Sequence, residues 1–311
     1  MILPARVQEK LLEILQEIKP STLKPVQKRL TEKYKTQSGT GKSLIDGKED
    51  SILYAISRMP ATFSVCLSLL NTLSKQGLIE NIESAIDVGS GTGAGYFALK
   101  EFDENIDISL FERDKNMIEV FDKFETGKKV EKFDLVGDKL DKKADLVLTS
   151  YVLSELSENG RFAAAKKLYD SANKYLLIID TGTPKVWAQM MELKSKFEDF
   201  GAHIIAPCMS KKCKLENDYC QFFARVERMA MHRMVKGAEL SYEDEKYFYL
   251  LVAKEPISAT QKERVIRRPV VRTNVINLLT CSVDGVKTNE FTKRDKELYK
   301  KAKKAKINDL I

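Results

Sequence analysis

The run SAIDVGSGTGAGYFALKEF, residues 84–102, restricts the fold of this chain more than any other feature. It reads as a short apolar strand, Ala85 to Val88, then a glycine turn, then an amphipathic helix carrying Phe97, Ala98 and Phe102. Glycines at 89, 91 and 93 allow positive φ and let a ligand approach the backbone with no Cβ in the way. Such a turn also sets the free amides of a helix start against polar or anionic atoms. Three further strand signals follow: IDISLFERD with Glu112, KADLVLTSYVLSEL with its apolar run at Leu146 to Thr149, and NKYLLIIDTGTP with Asp180. Strands alternating with helices at this spacing predict an α/β fold, with a parallel, doubly wound sheet that binds ligands at its carboxyl edge.

Two ligand classes suit the turn. Gly89, Gly91 and Ala94 satisfy the loose dinucleotide pattern Gly-x-Gly-x-x-Gly/Ala, which makes a nicotinamide enzyme one reading. Asp87 tilts the balance, because its carboxylate would repel a pyrophosphate and attract an ammonium. With it the stretch becomes Asp-x-Gly-x-Gly-x-Gly, which resembles the first motif of class I S-adenosylmethionine-dependent methyltransferases, a Rossmann-like fold. The resemblance puts Asp87 at the amino-acid end of the cofactor, beside the turn of Gly89, Ser90, Gly91 and Gly93. It puts Glu112, followed by Arg113, at the ribose and Asp134 or Asp138 near the adenine amine. The other SGTG, the first in chain order, in KTQSGTGKSLI, offers Gly41, Lys42 and Ser43 of a phosphate loop, but Thr36 stands where the first glycine belongs. The residues before it, QKRLTEKYKTQ, are charged and helical, so a linker loop is expected there.

At 311 residues the chain is long enough for about two domains. No run approaches 18 apolar residues, so no membrane span is expected. The first segment, MILPARVQEKLLEILQEIKP, lacks a leader pattern and carries Glu9, Glu13 and Glu17, which leads to a cytoplasmic expectation. Val7, Leu11, Ile14, Leu15 and Ile18 share one helical face, and residues 1–80 read as helices, the second helical region being broken near Pro60. The cofactor core is expected over 81–260 with a cysteine-containing insertion at 207–246, and a basic extension over 261–311. The net charge of +7 is concentrated in that extension, which holds 14 Lys and Arg against 6 Asp and Glu. Such a balance suggests a nucleic-acid partner, the alternative being a solvated lysine-rich helix. Arg264, Arg267, Arg268 and Arg272 sit in an alternating apolar stretch and are expected to form one basic sheet face. Lys300, Lys301, Lys303, Lys304 and Lys306 extend it. Contacts of this kind favour phosphates and carry little sequence information.

Five cysteines argue against a disulfide framework in a reducing compartment. Cys208, Cys213 and Cys220 are spaced C-x4-C-x6-C, and Cys281 follows. Four thiolates suit either tetrahedral zinc or a four-iron cluster, and the spacing matches neither a zinc ribbon nor a ferredoxin run. Cys213 lies in the polar SKKCKLEND, where a ligand role accounts for it better than packing; Cys66, in SVCLSLLNTL, is expected in the core. The segments GAHIIAPC, DYCQFFARVER, HRMVKG with SYEDEKYFYLLVA, RVIRRPVVR before LLTC, and KRDKELYKKAKK together resemble the methyltransferase-like family associated with the small ribosomal subunit. The resemblance covers residues 57 to about 306. It implies S-adenosylmethionine binding, contact with small-subunit ribosomal RNA, and a [4Fe-4S] cluster on Cys208, Cys213, Cys220 and Cys281.

The catalytic residues are not identified by the sequence. Amino-methylating nucleic-acid enzymes carry Asn or Asp, two prolines and an aromatic after the fourth strand, where this chain has TSYVLSEL. Ser150 and Tyr151 are expected to line the pocket, and no general base stands out. APCMS is similar to the Pro-Cys nucleophile of cytosine C5 enzymes, yet it follows the wrong strand and Cys208 is better used as a ligand. His203 is expected to be packed in a strand, and His232 to lie on a basic helix that could touch RNA. Two functions stay open: a monomeric ribosomal-RNA methyltransferase, or an assembly factor that keeps the fold as a binding platform.

Overall fold

The computed structural model describes residues 1–311 except 38, 42, 43, 209, 211, 212, 214, 216, 217 and 258–261. Lys42 and Ser43 of the first SGTG therefore lie outside the described residues. The sheet-forming run opens with β1 (Ser84–Val88), β2 (Asp107–Glu112), β3 (Val130–Lys132), β4 (Ala144–Ser150) and β5 (Ala172–Thr181). After them come β6 (His203–Ala206), β7 (Phe222–Glu227) and β8 (Tyr242–Ala253). These form one eight-stranded sheet in the order β3-β2-β1-β4-β5-β8-β6, with β7 also on β8. The first five strands are parallel, and β8 runs antiparallel to β5. The order reverses between β1 and β4, which opens a crevice beyond their carboxyl ends. Parallel strands with one antiparallel insertion beside β5, entered through the glycine turn, give the expected class I methyltransferase α/β fold.

Strands β6 and β8 are legible in the sequence as apolar runs, whereas β7 is hidden within the expected insertion. Ala206 pairs with Leu251 and Phe222 with Tyr247, so β6 and β7 follow one another along the same edge of β8. They act as a single strand interrupted by an excursion over 207–221 that carries three cysteines. The insertion expected over 207–246 is thus only partly excursion, since it also contains β7 and α9 (Ala230–Lys236).

The helices pack in two groups. On one side α3 (Lys48–Ser57), α4 (Met59–Lys75), α5 (Ala94–Phe102) and α6 (Lys115–Asp122) contact one another in pairs. On the other, α7 (Glu158–Ser171) and α8 (Pro184–Asp199) contact each other and strands β4, β5, β6 and β8. The expected break at Pro60 is there: α3 ends at Ser57, and Pro60 sits in the first turn of α4, where its missing N–H costs nothing. The amphipathic α1 (Ala5–Leu15) buries Val7, Leu11 and Ile14, and α2 (Pro20–Gln37) buries Val26 and Leu30. One apolar cluster runs from Leu3 through Cys66 and the sheet to Ile266, so the N-terminal helices share the core rather than forming a separate body. No single helix among the described residues is long and apolar enough to cross a membrane.

The basic extension folds as a small second sheet of β9 (Arg264–Val265), β10 (Val270–Arg272), β11 (Val275–Ser282) and β12 (Gly285–Thr292), covered by α10 (Lys296–Lys304). Its own core is Val265, Ile276, Leu278 and Ala302.

Candidate functional site

The glycine turn is fastened to the tip of β2. Gly89 and Ser90 donate their amides to the Phe111 carbonyl at 2.8 and 3.1 Å, and the Gly91 amide donates to Glu112 Oε2 at 2.8 Å. Glu112 Oε1 accepts from Asp114 N at 2.8 Å. The expected ribose acid therefore also holds the loop in place, and a carboxylate with about four acceptor positions has room for further donors. Gly91 has φ of +54° and nothing near its missing Cβ, so its backbone faces open space. A Cβ on Gly89 would stand 2.3 Å from Val152, and one on Gly95 would stand 2.4 Å from Asp87 Oδ2. The absent side chain of Gly95 is what gives the Asp87 carboxylate its space.

Beyond the turn lies a cavity enclosing about 840 Å³ with its mouth included. Its wall includes Gly89, Gly91, Glu112, Arg113, Asp134, Ser150 and Tyr151, all expected there from sequence. Asp134 takes the wall between Phe133 and Leu135; Asp138 instead accepts the Asp134 amide at 2.7 Å and closes a turn. Asp87 and Ser90 are buried beneath this wall rather than on it, and Gly93 packs against Phe121. Among the described residues no hydrogen bond of good geometry reaches either Asp87 oxygen, the Tyr96 amide facing the carboxylate without closing one, and Ser90 Oγ, Thr92 Oγ1 and Tyr151 OH are buried without partners. Burial, then the charge of Glu112, pushes the Asp87 carboxyl up to about 7. Buried polar groups are normally satisfied. A cluster of orphans beside a glycine turn is the mark of a polar ligand end that the chain itself does not supply.

The other side of the cavity was not legible in the sequence. Tyr34 from α2, Tyr54 from α3, and Gly41, Leu44 and Ile45 from the connecting loop all line it. The loop of the first SGTG, expected to be a linker, instead reaches this cavity at Gly41, whose amide donates to the Glu155 carbonyl at 2.9 Å. Glu155 ends a 3-10 turn, Leu153–Glu155, and stands on the cavity wall; burial, then the charge of Asp180, pushes its carboxyl up to about 8. Asp180 accepts from Ser154 N and Oγ at 2.9 and 2.8 Å, which fixes that turn. Tyr151 has φ of +60° and lies 5.6 Å from the guanidinium of Arg58, itself paired with Glu245 at 2.8 Å. Glu155, five residues beyond Ser150 in TSYVLSEL, was findable from its place after β4; Tyr34 and Tyr54 were not, because tertiary packing brings them there.

All four cysteines singled out by spacing, Cys208, Cys213, Cys220 and Cys281, line one small cavity with Trp187, Phe222 and Ile266. Three come from the excursion and Cys281 from β11 of the second sheet. None forms a disulfide. Burial, then a neighbouring cysteine in each case, pushes the Cys208 and Cys220 thiols up. Among the described residues no three His, Cys, Asp or Glu side chains are placed to share one metal ion. Cys66 is fully buried on α4, as expected.

Residues 48–311 match the family described as mitochondrial small ribosomal subunit Rsm22. The chain belongs to the Rsm22 family. That match extends the resemblance read from the segments around the cysteines back through α3. No curated protein matches the chain by sequence. Among solved structures it is similar to magnesium protoporphyrin IX methyltransferase (ChlM) from Synechocystis PCC 6803 with bound SAM, at 13% identity and a TM-score of 0.42, over 74% of this chain and 97% of that one. It is also similar to PH1948 from Pyrococcus horikoshii, named a candidate RNA methyltransferase, at 16% identity and a TM-score of 0.41, over 61% of this chain and 84% of that one.

The basic face expected of this Rsm22-family chain needs correction. Arg264 is completely buried: its guanidinium donates to the Pro207 carbonyl at 3.0 Å, to Gln76 Oε1 at 3.1 Å and to Asn308 Oδ1 at 2.7 Å. It ties the second sheet to the main body and meets no outside phosphate. Arg267 is half-buried and pairs with Asp218 of the excursion. Arg268 and Arg272 are exposed, as are Lys300, Lys301, Lys303 and Lys304. His232, expected on an RNA-facing helix, is buried in α9; burial, then the charge of Lys236, pushes it down to about 4, so it is neutral at pH 7. His203 is half-buried in β6, close to expectation.

Proposed function

We propose that this chain is an S-adenosylmethionine-binding protein of the small ribosomal subunit, with ribosomal RNA as its partner and a [4Fe-4S] cluster as a structural centre. The observation that carries the cofactor reading is the set of orphaned buried groups, Asp87, Ser90, Thr92 and Tyr151, around the glycine turn. An amino-acid end would seat at the open backbone of Gly91 above Asp87, where its ammonium feels that carboxylate, Glu112 would accept from ribose hydroxyls, and Phe133, Asp134 and Leu135 offer an adenine slot. Membership of a family described by the small ribosomal subunit supports the ribosomal partner. When bound, the cofactor supplies an electrophilic methyl group. The chain's part would be to align an acceptor near Tyr151 and Glu155 and to exclude water there.

The four thiols line one cavity, and thiolates are the donor type that a four-iron cluster takes, with zinc as the alternative. The cluster would lock the second sheet to the excursion, since its ligands come from both. Calorimetric titration with S-adenosylmethionine tests the cofactor reading, and no heat of binding would end it. Iron and sulfide analysis of anaerobically purified protein tests the cluster: about four of each per chain are expected, and a colourless protein with one zinc would refute iron. Whether the platform turns over is read by mass spectrometry of small-subunit RNA from cells with and without the protein. The lost methyl mark identifies an enzyme, and an unchanged spectrum identifies an assembly factor.

A further inference from the structure

Several lysines of the main body have acidic neighbours: Lys48 and Lys123 with Glu17, Lys128 with Asp107, Lys194 with Glu198. Others, such as Lys24, Lys28, Lys115 and Lys129, have no ion pair among the described residues, and six such unpaired, exposed lysines gather at one place. Lys75, Lys262, Lys301, Lys303, Lys304 and Lys306 make no ion pair among the described residues, and all six line one groove of about 3170 Å³ with its open side included. One wall of the groove is the end of α4 with β7 and β8; the other is the second sheet with α10. Its two acids are already occupied. Glu263 pairs with Lys287 and accepts from Thr280 and Asn289, and Asp309 accepts the Lys306 amide.

The groove is not merely basic. Phe223, Val271, Phe291 and Leu298 line it between the cations, with Val271 54% and Leu298 46% exposed. Phe223 lies with Arg268 5.8 Å and Lys246 5.9 Å from its ring centroid. Such a surface asks for a ligand with a chain of negative charges and flat faces that can leave water. A duplex offers the charges but keeps its bases stacked inside. An acidic peptide offers charge without regularly spaced aromatic planes.

We propose that this groove binds single-stranded RNA, its phosphates on the unpaired lysines and a base stacked against Phe223. The proposal rests on the RNA reading above and narrows it to one surface and one strandedness. Arg268, Lys301, Lys303, Lys304 and Lys306 are residues expected from sequence that share the groove; Arg264, Arg267, Arg272 and Lys300 do not line it.

The test uses the full chain and fluorescence anisotropy with an oligouridine of about 12 nucleotides, within the usual site sizes, a hairpin of matched length, and polyglutamate as competitor. Single strand is expected to bind more tightly than hairpin. Lys301→Gln with Lys304→Gln should make the slope of log affinity against log salt shallower by about 1.4, two phosphate contacts' worth. Phe223→Leu, which keeps apolar volume but removes the flat face, should weaken binding about fivefold to hundredfold and leave the salt slope alone. S-adenosylmethionine affinity serves as the folding control for both variants. Hairpin preference, polyglutamate competing as well as RNA, or variants that bind like the parent would each overturn the groove. If those variants still retain small-subunit RNA, the groove is wrong and the RNA reading survives; if the parent chain retains none, that reading falls first.

Discussion

Asp87 is buried and Glu112 half-buried at the same crevice, and their surroundings differ. Glu112 has backbone donors at good geometry on each oxygen, while among the described residues Asp87 has none at that geometry. Glu112→Ala removes both loop anchors and, on the proposed reading, the acceptor for the ribose. Hydrogen bonds to a charged group are worth about 1.5–3 kcal/mol, so cofactor affinity should fall about tenfold to hundredfold by calorimetry. Asp87 gives a pH signature. Its carboxyl sits at about 7 in the folded chain against an ordinary value of 3.8. The folded state therefore holds a proton that the unfolded chain has released, and the stability this contributes is present at low pH and lost as pH rises through 7. An ammonium-bearing ligand prefers the ionised form, so its affinity should rise between pH 6 and pH 8, by up to about tenfold per unit below 7. Asp87→Asn should bind more weakly and flatten that profile; an unchanged slope would assign the titration to Glu155 instead.

At the scale of elements, the joint between the main sheet and the second sheet is the part most dependent on specific residues. Arg264 of β9 reaches the Pro207 carbonyl at the start of the excursion, Gln76 at the end of α4, and Asn308 near the chain's end. Arg264→Met keeps the volume and removes those donors. It should destabilise the protein by about 2–4 kcal/mol, as expected for several buried hydrogen bonds from one cation, measured by urea unfolding. Its RNA affinity should remain that of the parent, because the guanidinium never reaches solvent. Reading arginines in alternation as an outward basic face failed here for a physical reason. Alternation tells which residues share a side of a strand, but not whether that side meets water or a neighbouring element. The four cysteines were more legible: a thiol such as Cys213 in a polar stretch gains nothing from apolar packing, and all four do line one cavity.

For the molecule as a whole, Arg264 and the cavity lined by the four cysteines both lie where the second sheet meets the main body, and the basic groove lies between the same two parts. If the proposed cluster is bound, chelation under reducing conditions should raise hydrogen exchange over β11 and β12 and around Cys208 and Cys220. Strands β1 and β4 should stay protected, because their burial does not depend on the second sheet. RNA affinity should drop with it, while cofactor affinity changes little. Uniform exchange across both regions would mean the second sheet holds without a metal.

The sequence by itself determined the strand-turn-helix at 84–102, the alternation that makes a parallel sheet, the acids at 87 and 112, and the set of four thiols. Each of these is local chemistry: a glycine that must have no Cβ, a period of apolar residues, a donor type. Only the tertiary structure decided that the loop of the first SGTG reaches the crevice, that β6 and β7 share one edge of β8, that Arg264 is buried while Lys301 and Lys304 are exposed, and that Tyr34 joins the site. Those outcomes depend on which surfaces meet across long stretches of chain, and solvent exposure is a property of the packed whole rather than of any segment's pattern.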